Sequence, residues 1–187
     1  MSVETQLMTA AEFEAYIADP TNADRHLELI NGEIVEDMPT EEHSIAAGNL
    51  YFHLRRFVDD KGLGRVVFEV RRKSPDDDHN VMIPDVDFTS STRLKDREDV
   101  VSKGPVTQMP DLAIEVQSPG QSLKLMSDKA ALYLAHGSRM VWLVYPSKRL
   151  VEVLTADDRA LYGETETLDG GTLLPGFSMP VADIFKA

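Results

Sequence analysis

The chain contains no cysteine, a single tryptophan and only 7% aromatic residues. Without cysteine there is no disulfide framework and no thiolate zinc site, and the composition fits a reducing compartment. Positive charge is scarce as well: 19 lysines and arginines stand against 32 aspartates and glutamates, a net charge of −13. Phosphate binding favours a positive surface, so this balance argues against tight non-specific binding of nucleic acid. Long apolar runs are also missing. Met140 to Tyr145 is far too short to span a bilayer. The opening MSVETQLMTAAEFEAY has neither the basic nor the apolar segment of a secretory signal. The expectation is a cytoplasmic protein that does not enter the membrane.

What the chain does have is enough apolar material for a core. At 187 residues and 42% hydrophobic content it reads as one globular domain, 1–187, of mixed α and β structure. Charge is uneven along it. Between Arg55 and Lys73 seven basic residues face three acids, a local excess of four positive charges. That stretch reads either as a solvated face or as a phosphate-contacting patch.

Taken in order, Met8 to Ala18 has the spacing of a short helix, with Thr9 and Glu12 as a capping box. Asn31-Gly32 between His26–Ile30 and Glu33–Glu36 predicts a hairpin, because both turn residues tolerate positive φ. In that register Glu28 faces Val35. Glu41 to Asp60 is amphipathic and helical, and His43 in its first turn reads as a cap or surface group. Strands are expected over Arg65–Arg72 and Val81–Thr89, with the Asp76-Asp77-Asp78-His79 tract between them as a solvated turn. Ser90 to Met109 is a long charged connection, of a length often found in functional flaps. Arg139–Tyr145 and Leu150–Thr155 predict a second hairpin. Short outer strands are expected over Leu161–Leu168 and Thr172–Leu174, and a last turn through Val181, Ile184 and Phe185.

The most informative stretch is Pro110–Gly137. Asp111 to Gln117 is a short strand, Ser118-Pro119-Gly120 stops it, and Gln121 to His136 recurs with helical spacing. Strand alternation places Ala113, Glu115 and Gln117 on one face and Leu112, Ile114 and Val116 on the other. A carboxylate at Glu115 costs several kcal/mol to desolvate unless something positive meets it. Asp85 and Glu28 interrupt apolar strands in the same way. Converging carboxylates repel, and a divalent cation is the usual remedy. Oxygen ligands without cysteine favour Mg²⁺ or Mn²⁺ over zinc. Such an ion commonly serves phosphoryl chemistry.

Pro84-Asp85 followed thirty residues on by Glu115-Val116-Gln117 resembles the core of the PD-(D/E)xK nucleases. More closely, ELINGEIVE, the helix beginning at EEH, IPDVDF, PDLAIEVQSP, DKAALYLAHG and RMVWLVYP resemble, in order and spacing, the Uma-two family of restriction endonucleases. The resemblance covers roughly Glu12 to Leu154. It implies a restriction-endonuclease-like α/β (α+β) fold: a mixed central β-sheet flanked by helices, with an extra N-terminal hairpin and C-terminal strands. It implies a magnesium-dependent endonuclease acting on DNA, with Asp85 and Glu115 as metal ligands and Glu28 assisting as ligand or base. A homodimer that cuts two strands is the implied assembly. The superfamily motif ends in lysine, and here Gln117 stands in that place, able to orient water or substrate but carrying no charge. Lys129, on the helix that packs back on the strand, is the candidate to supply the charge. Lys124 is its competitor, and Asp87 a candidate outer neighbour. Two other readings stay open: a nuclease fold serving as a binding or regulatory module, and a metal-dependent hydrolase of another phosphate ester.

Overall fold

The computed structural model describes residues 7–22, 24–95 and 103–187. Helix α1 (Ala10–Ile17) starts at Thr9, whose side chain and Glu12 form the expected reciprocal capping box. Strands β1 (His26–Ile30) and β2 (Glu33–Asp37) form the hairpin around Asn31 and Gly32, with Glu28 opposite Val35 as the sequence implies. Both turn residues take positive φ, 51° and 76°. Helix α2 (Glu41–Lys61) is capped by the Thr40 side chain and closed by Gly62 in the left-handed region.

A six-stranded sheet follows: β3 (Gly64–Phe68), β4 (Val86–Ser90), β5 (Leu112–Val116), β6 (Met140–Tyr145), β7 (Leu150–Leu154) and β8 (Arg159–Gly163), adjacent in that order. Only β5 and β6 run parallel; the other neighbours are antiparallel. The one parallel step requires a crossover, and helix α4 (Leu123–Ala135) supplies it. One sheet face carries Val86, Phe88, Leu112, Ile114, Val116, Trp142 and Val144, covered by α2 and the C-terminal helix α5 (Val181–Ile184). The opposite face carries Ala113, Val141 and Leu143 under Met126, Ala130 and Tyr133 of α4. The alternation expected for β5 therefore holds, and it turns Glu115 toward α4. Helix α1 packs on Leu27 and Leu29 of the hairpin in a third, smaller cluster. A short helix α3 (Ser91–Leu94) follows β4; the flap expected over Ser90–Met109 falls partly outside the described residues. Among the described residues no helix is long and apolar enough to cross a membrane.

Four boundaries differ from expectation. The strand expected over Leu161–Leu168 breaks at a turn over 164–166 into β8 and a short strand over Thr167–Asp169. The three others have local reasons. The strand expected over Arg65–Arg72 ends at Phe68, because Glu69 adopts φ 52° and turns the chain out of the sheet. The strand expected over Val81–Thr89 is split. Val81 and Met82 bridge to Leu29 and Arg72, Pro84 has no N–H for a ladder, and regular pairing resumes only at Val86. Thr172–Leu174 forms a turn in place of a strand, Leu174 donating to the Gly170 carbonyl. The partner of β9 (Thr167–Asp169) is instead β10 (Ser178–Pro180). The acidic tract 76–78 is also more engaged than a solvated turn. Asp77 accepts from Asn80 and approaches His136 at 3.0 Å, and Asp78 accepts from Lys73.

Candidate active site

Four elements bring polar side chains to one point on the α4 side of the sheet. Glu28 comes from β1, which is bolted to the Val81–Ile83 segment by Leu29–Val81 backbone bonds of 2.9 and 2.8 Å. Its Oε1 accepts the Ile83 N–H at 2.6 Å. Asp85 stands one residue before β4 joins the sheet, where its Oδ2 accepts the Val116 N–H at 2.6 Å. Glu115 projects from the middle of β5. Lys129 comes from the buried face of α4, in line with Met126, Ala130 and Tyr133.

Lys129 is the hub. It is 2% exposed, and its Nζ donates to Glu28 Oε2 at 2.8 Å and to Glu115 Oε2 at 2.5 Å. The Tyr133 hydroxyl, one helical turn further on, donates to the other Glu115 oxygen at 2.7 Å. Burial pushes Glu115 up to about 8 against the pull of Lys129, and the charges of Glu28 and Asp85 push it the same way. Burial would lower the Lys129 ammonium, but Glu115 and Glu28 outweigh it and hold its pKa above the ordinary value. Burial and the same two glutamates raise the Tyr133 phenol, which stays a donor.

This cluster floors a pocket lined by Glu28, Asp37, Glu69, Asp85 and Glu115, with His26, His43 and Lys129. Five acids surround one lysine, so the pocket favours a cation. His43 is buried, and its Nε2 lies 3.2 Å from Asp85 Oδ1, outside hydrogen-bond alignment. Burial works to lower its pKa and is outweighed by Asp85, Asp37 and Glu69, so the net shift is upward.

The sequence model of the Uma2 family, described as "Putative restriction endonuclease", matches residues 10–182. The chain belongs to the Uma2 family. Among solved structures it is similar to the crystal structure described as "a putative nuclease belonging to DUF820 from Anabaena variabilis ATCC 29413". The TM-score is 0.78 at 21% identity, covering 95% of this chain and 97% of that one, a likeness of fold. No curated protein matches. The restriction-endonuclease-like fold, a mixed sheet flanked by helices, is thus shared with a known structure.

Within this Uma2 site the structure gathers Glu28, Asp85, Glu115 and Lys129. It does not bring Gln117 to them: the Gln117 amide donates to the Gln121 carbonyl at 2.8 Å, and the side chain faces the Ser118–Gln121 turn. The reason is that β5 ends at Val116, so the strand's alternation no longer governs the next residue. Lys124 is exposed and paired with Asp128 along the helix. Asp87 is no neighbour of the pocket; it takes a two-pronged ion pair from Arg72 at 2.9 and 2.5 Å. His43 lines the pocket where the sequence suggested a cap or surface group, and Tyr133 binds Glu115 where it suggested only core. A tyrosine on a buried helix face needs a hydroxyl partner, and that is the signal by which it could have been found.

Among the described residues no set of three carboxylates or histidines is placed to hold a single ion. Mg²⁺ does not require one, since it is commonly held by one or two carboxylates together with waters and phosphate oxygens. Asp85 Oδ1 meets the His43 Nε2 at 3.2 Å, and each Glu115 oxygen accepts one hydrogen bond and keeps a second lone pair. The donor chemistry of the pair Asp85 and Glu115 therefore fits a hard divalent cation.

Proposed function

We propose that the chain is a Mg²⁺- or Mn²⁺-dependent endonuclease that hydrolyses DNA phosphodiester bonds. One observation carries the reading: a buried lysine held between two strand glutamates, 2.8 and 2.5 Å away, at the floor of a pocket dominated by acids. Membership of a family described as "Putative restriction endonuclease" supports it. Asp85 and Glu115 would hold the metal, with Glu28 assisting. A bound divalent cation supplies charge neutralisation at the phosphate and lowers the pKa of water.

The chain's own residues do the rest. Lys129 presents a fixed positive charge where negative charge grows on the phosphoryl oxygens, a preorganised arrangement worth most in a water-poor site. Tyr133 and Lys129 fix the Glu115 carboxylate from both sides, while the Ile83 and Val116 N–H groups orient Glu28 and Asp85. Gln117 takes no part in this reading. The charge pattern does not supply a broad phosphate track: Arg55 pairs with Asp59, Arg71 with Glu14, Arg72 with Asp87 and Lys73 with Asp78. A homodimer, which would place two such sites on two strands, belongs to the same proposal.

Calorimetric titration of Mg²⁺ and Mn²⁺ into the wild type and the Asp85→Ala/Glu115→Ala double variant, beside a plasmid-nicking assay, tests it. Saturable binding lost in the double variant, with nicking lost in Lys129→Ala, is the expected outcome. No metal binding by the wild type would leave the carboxylates structural. Metal binding without nicking would favour a nuclease fold serving as a binding module, a reading that the disengaged Gln117 supports.

A further inference from the structure

A second cavity, of about 290 Å³, opens beside the acid pocket and shares His43, Glu69 and Asp85 with it. Its other walls are different in kind: Ala47, Gly48 and Tyr51 of α2, Phe68 at the end of β3, and Val86. Phe68 is 57% exposed, and its ring meets Tyr51 edge-on at 5.1 Å. An exposed aromatic at the rim of the groove offers a face on which a planar group can stack. Two backbone features border the cavity. Glu69 takes φ 52°, a conformation that non-glycine residues adopt at a cost, and in doing so ends β3 with Phe68 at the rim. Gly48 sits inside a 21-residue helix, where glycine is disfavoured relative to alanine, and a Cβ there would meet nothing within 4 Å. Gly48 lines the groove without a side chain of its own.

We infer that this groove takes an unpaired nucleobase of the strand whose phosphate enters the acid pocket, so that the substrate is single-stranded or locally unpaired DNA. The inference rests on the nuclease reading and names its substrate class. Sharing Asp85 with the acid pocket puts the groove next to the place where the phosphodiester would sit, within reach of a base on the same strand. A base stacked within a duplex cannot lie on Phe68, whereas a splayed base can, and every base has a face to stack. The charge balance points the same way. With a net charge of −13 and four basic residues of the Arg55–Lys73 stretch tied up in ion pairs, backbone phosphates alone give weak affinity, and stacking supplies what they do not.

The test is fluorescence anisotropy in Mg²⁺ with hydrolysis-resistant phosphorothioate strands: a thymidine 12-mer, an abasic strand of the same length, and the matching duplex. The wild type is expected to bind the thymidine strand about tenfold more tightly than the abasic one, as for one base stacked on an aromatic, and more tightly than the duplex. Phe68→Ala removes the platform and Gly48→Leu adds a bulky side chain to the groove wall; each should abolish the base preference while the thermal midpoint holds. Equal binding of abasic and base-bearing strands, tighter binding of the duplex, no binding of any strand, or a preference that survives both variants would overturn the inference. Nicking of plasmid without any base preference would leave the nuclease reading standing and remove this one. Base preference without metal-dependent nicking would do the reverse.

Discussion

Two buried charge clusters lie close together in this sheet, and they are built on opposite plans. Arg72 and Asp87 meet one for one: a cation and an anion, side chains 3% and 0% exposed, joined by two parallel hydrogen bonds. Lys129 serves two glutamates, with Asp85 beside them and a pocket opening above. In the first, each buried charge meets its opposite. The second has an excess of negative charge that burial makes expensive, and Glu115 is pushed up to about 8 in consequence. A one-to-one pair offsets the burial of both charges, whereas two glutamates on one lysine leave negative charge over. The comparison can be broken by asking whether each cluster responds to substitution as its plan requires.

The largest effect is expected at the balanced pair. Asp87→Asn leaves the Arg72 guanidinium buried without its counter-charge, and losing one partner of such a pair costs about 3–5 kcal/mol. Urea denaturation should show that loss. A change below about 1 kcal/mol would mean that the pair is no more than a surface-type contact and the comparison fails.

Next comes Lys129→Met. Nicking should fall by about 10²–10³-fold, the usual consequence of removing one preorganised charge from an active site. Stability should suffer less than in Asp87→Asn, because burial and the neighbouring acids already raise the Glu115 pKa, so the carboxyl can take up a proton when the lysine is gone. Equal destabilisation by the two substitutions would erase the distinction between the clusters.

The third prediction concerns pH. Glu115 has a folded value of about 8 against an ordinary 4.5, so between those values the folded protein keeps a proton that the unfolded chain has released. Stability therefore falls as pH rises from about 4.5 to 8 and loses nothing further from this group above that. His43, also raised, works in the same direction as it deprotonates. Comparing wild type with Glu115→Gln isolates the glutamate: the variant should gain stability relative to wild type at pH 8 and show no such gain at pH 4.5. A difference independent of pH would show that Glu115 is not strained by its surroundings.

Much of this arrangement could be read before any coordinates, and the parts that could not have physical causes. Periodicity and turn chemistry place α1, the Asn31-Gly32 hairpin, α2 and the strand–helix unit around Glu115, because each is specified by local residues. Acids interrupting apolar strands mark Glu28, Asp85 and Glu115, since only a partner excuses their burial. What local sequence does not carry is where a strand leaves its sheet. Glu69 and Pro84 set those exits, and with them the orientation of Asp85 and the exposure of Phe68. Gln117 is the same lesson at the other end of β5, one residue beyond the point where alternation applies. His43 was legible only as a first-turn residue; that the first turn of α2 opens onto Asp85 depends on how α2 lies against the end of β4.

The smallest expected effect sharpens the choice between two lysines on one helix. Lys124 and Lys129 are five residues apart, so they lie on different sides of α4. Lys124 reaches Asp128 in an exposed pair four residues along, its side chain 83% accessible, whereas Lys129 is enclosed by Glu28 and Glu115. Exposed pairs of that kind contribute about 0.3–0.5 kcal/mol. Lys124→Ala should therefore shift the urea midpoint barely above error and leave plasmid nicking at the wild-type rate, measured in the same preparation as Lys129→Met. If nicking falls with Lys124→Ala as steeply as with Lys129→Met, the charge that matters is not the one held between the strand glutamates. The acid pocket would then be a structural cluster with the reactive centre elsewhere on α4.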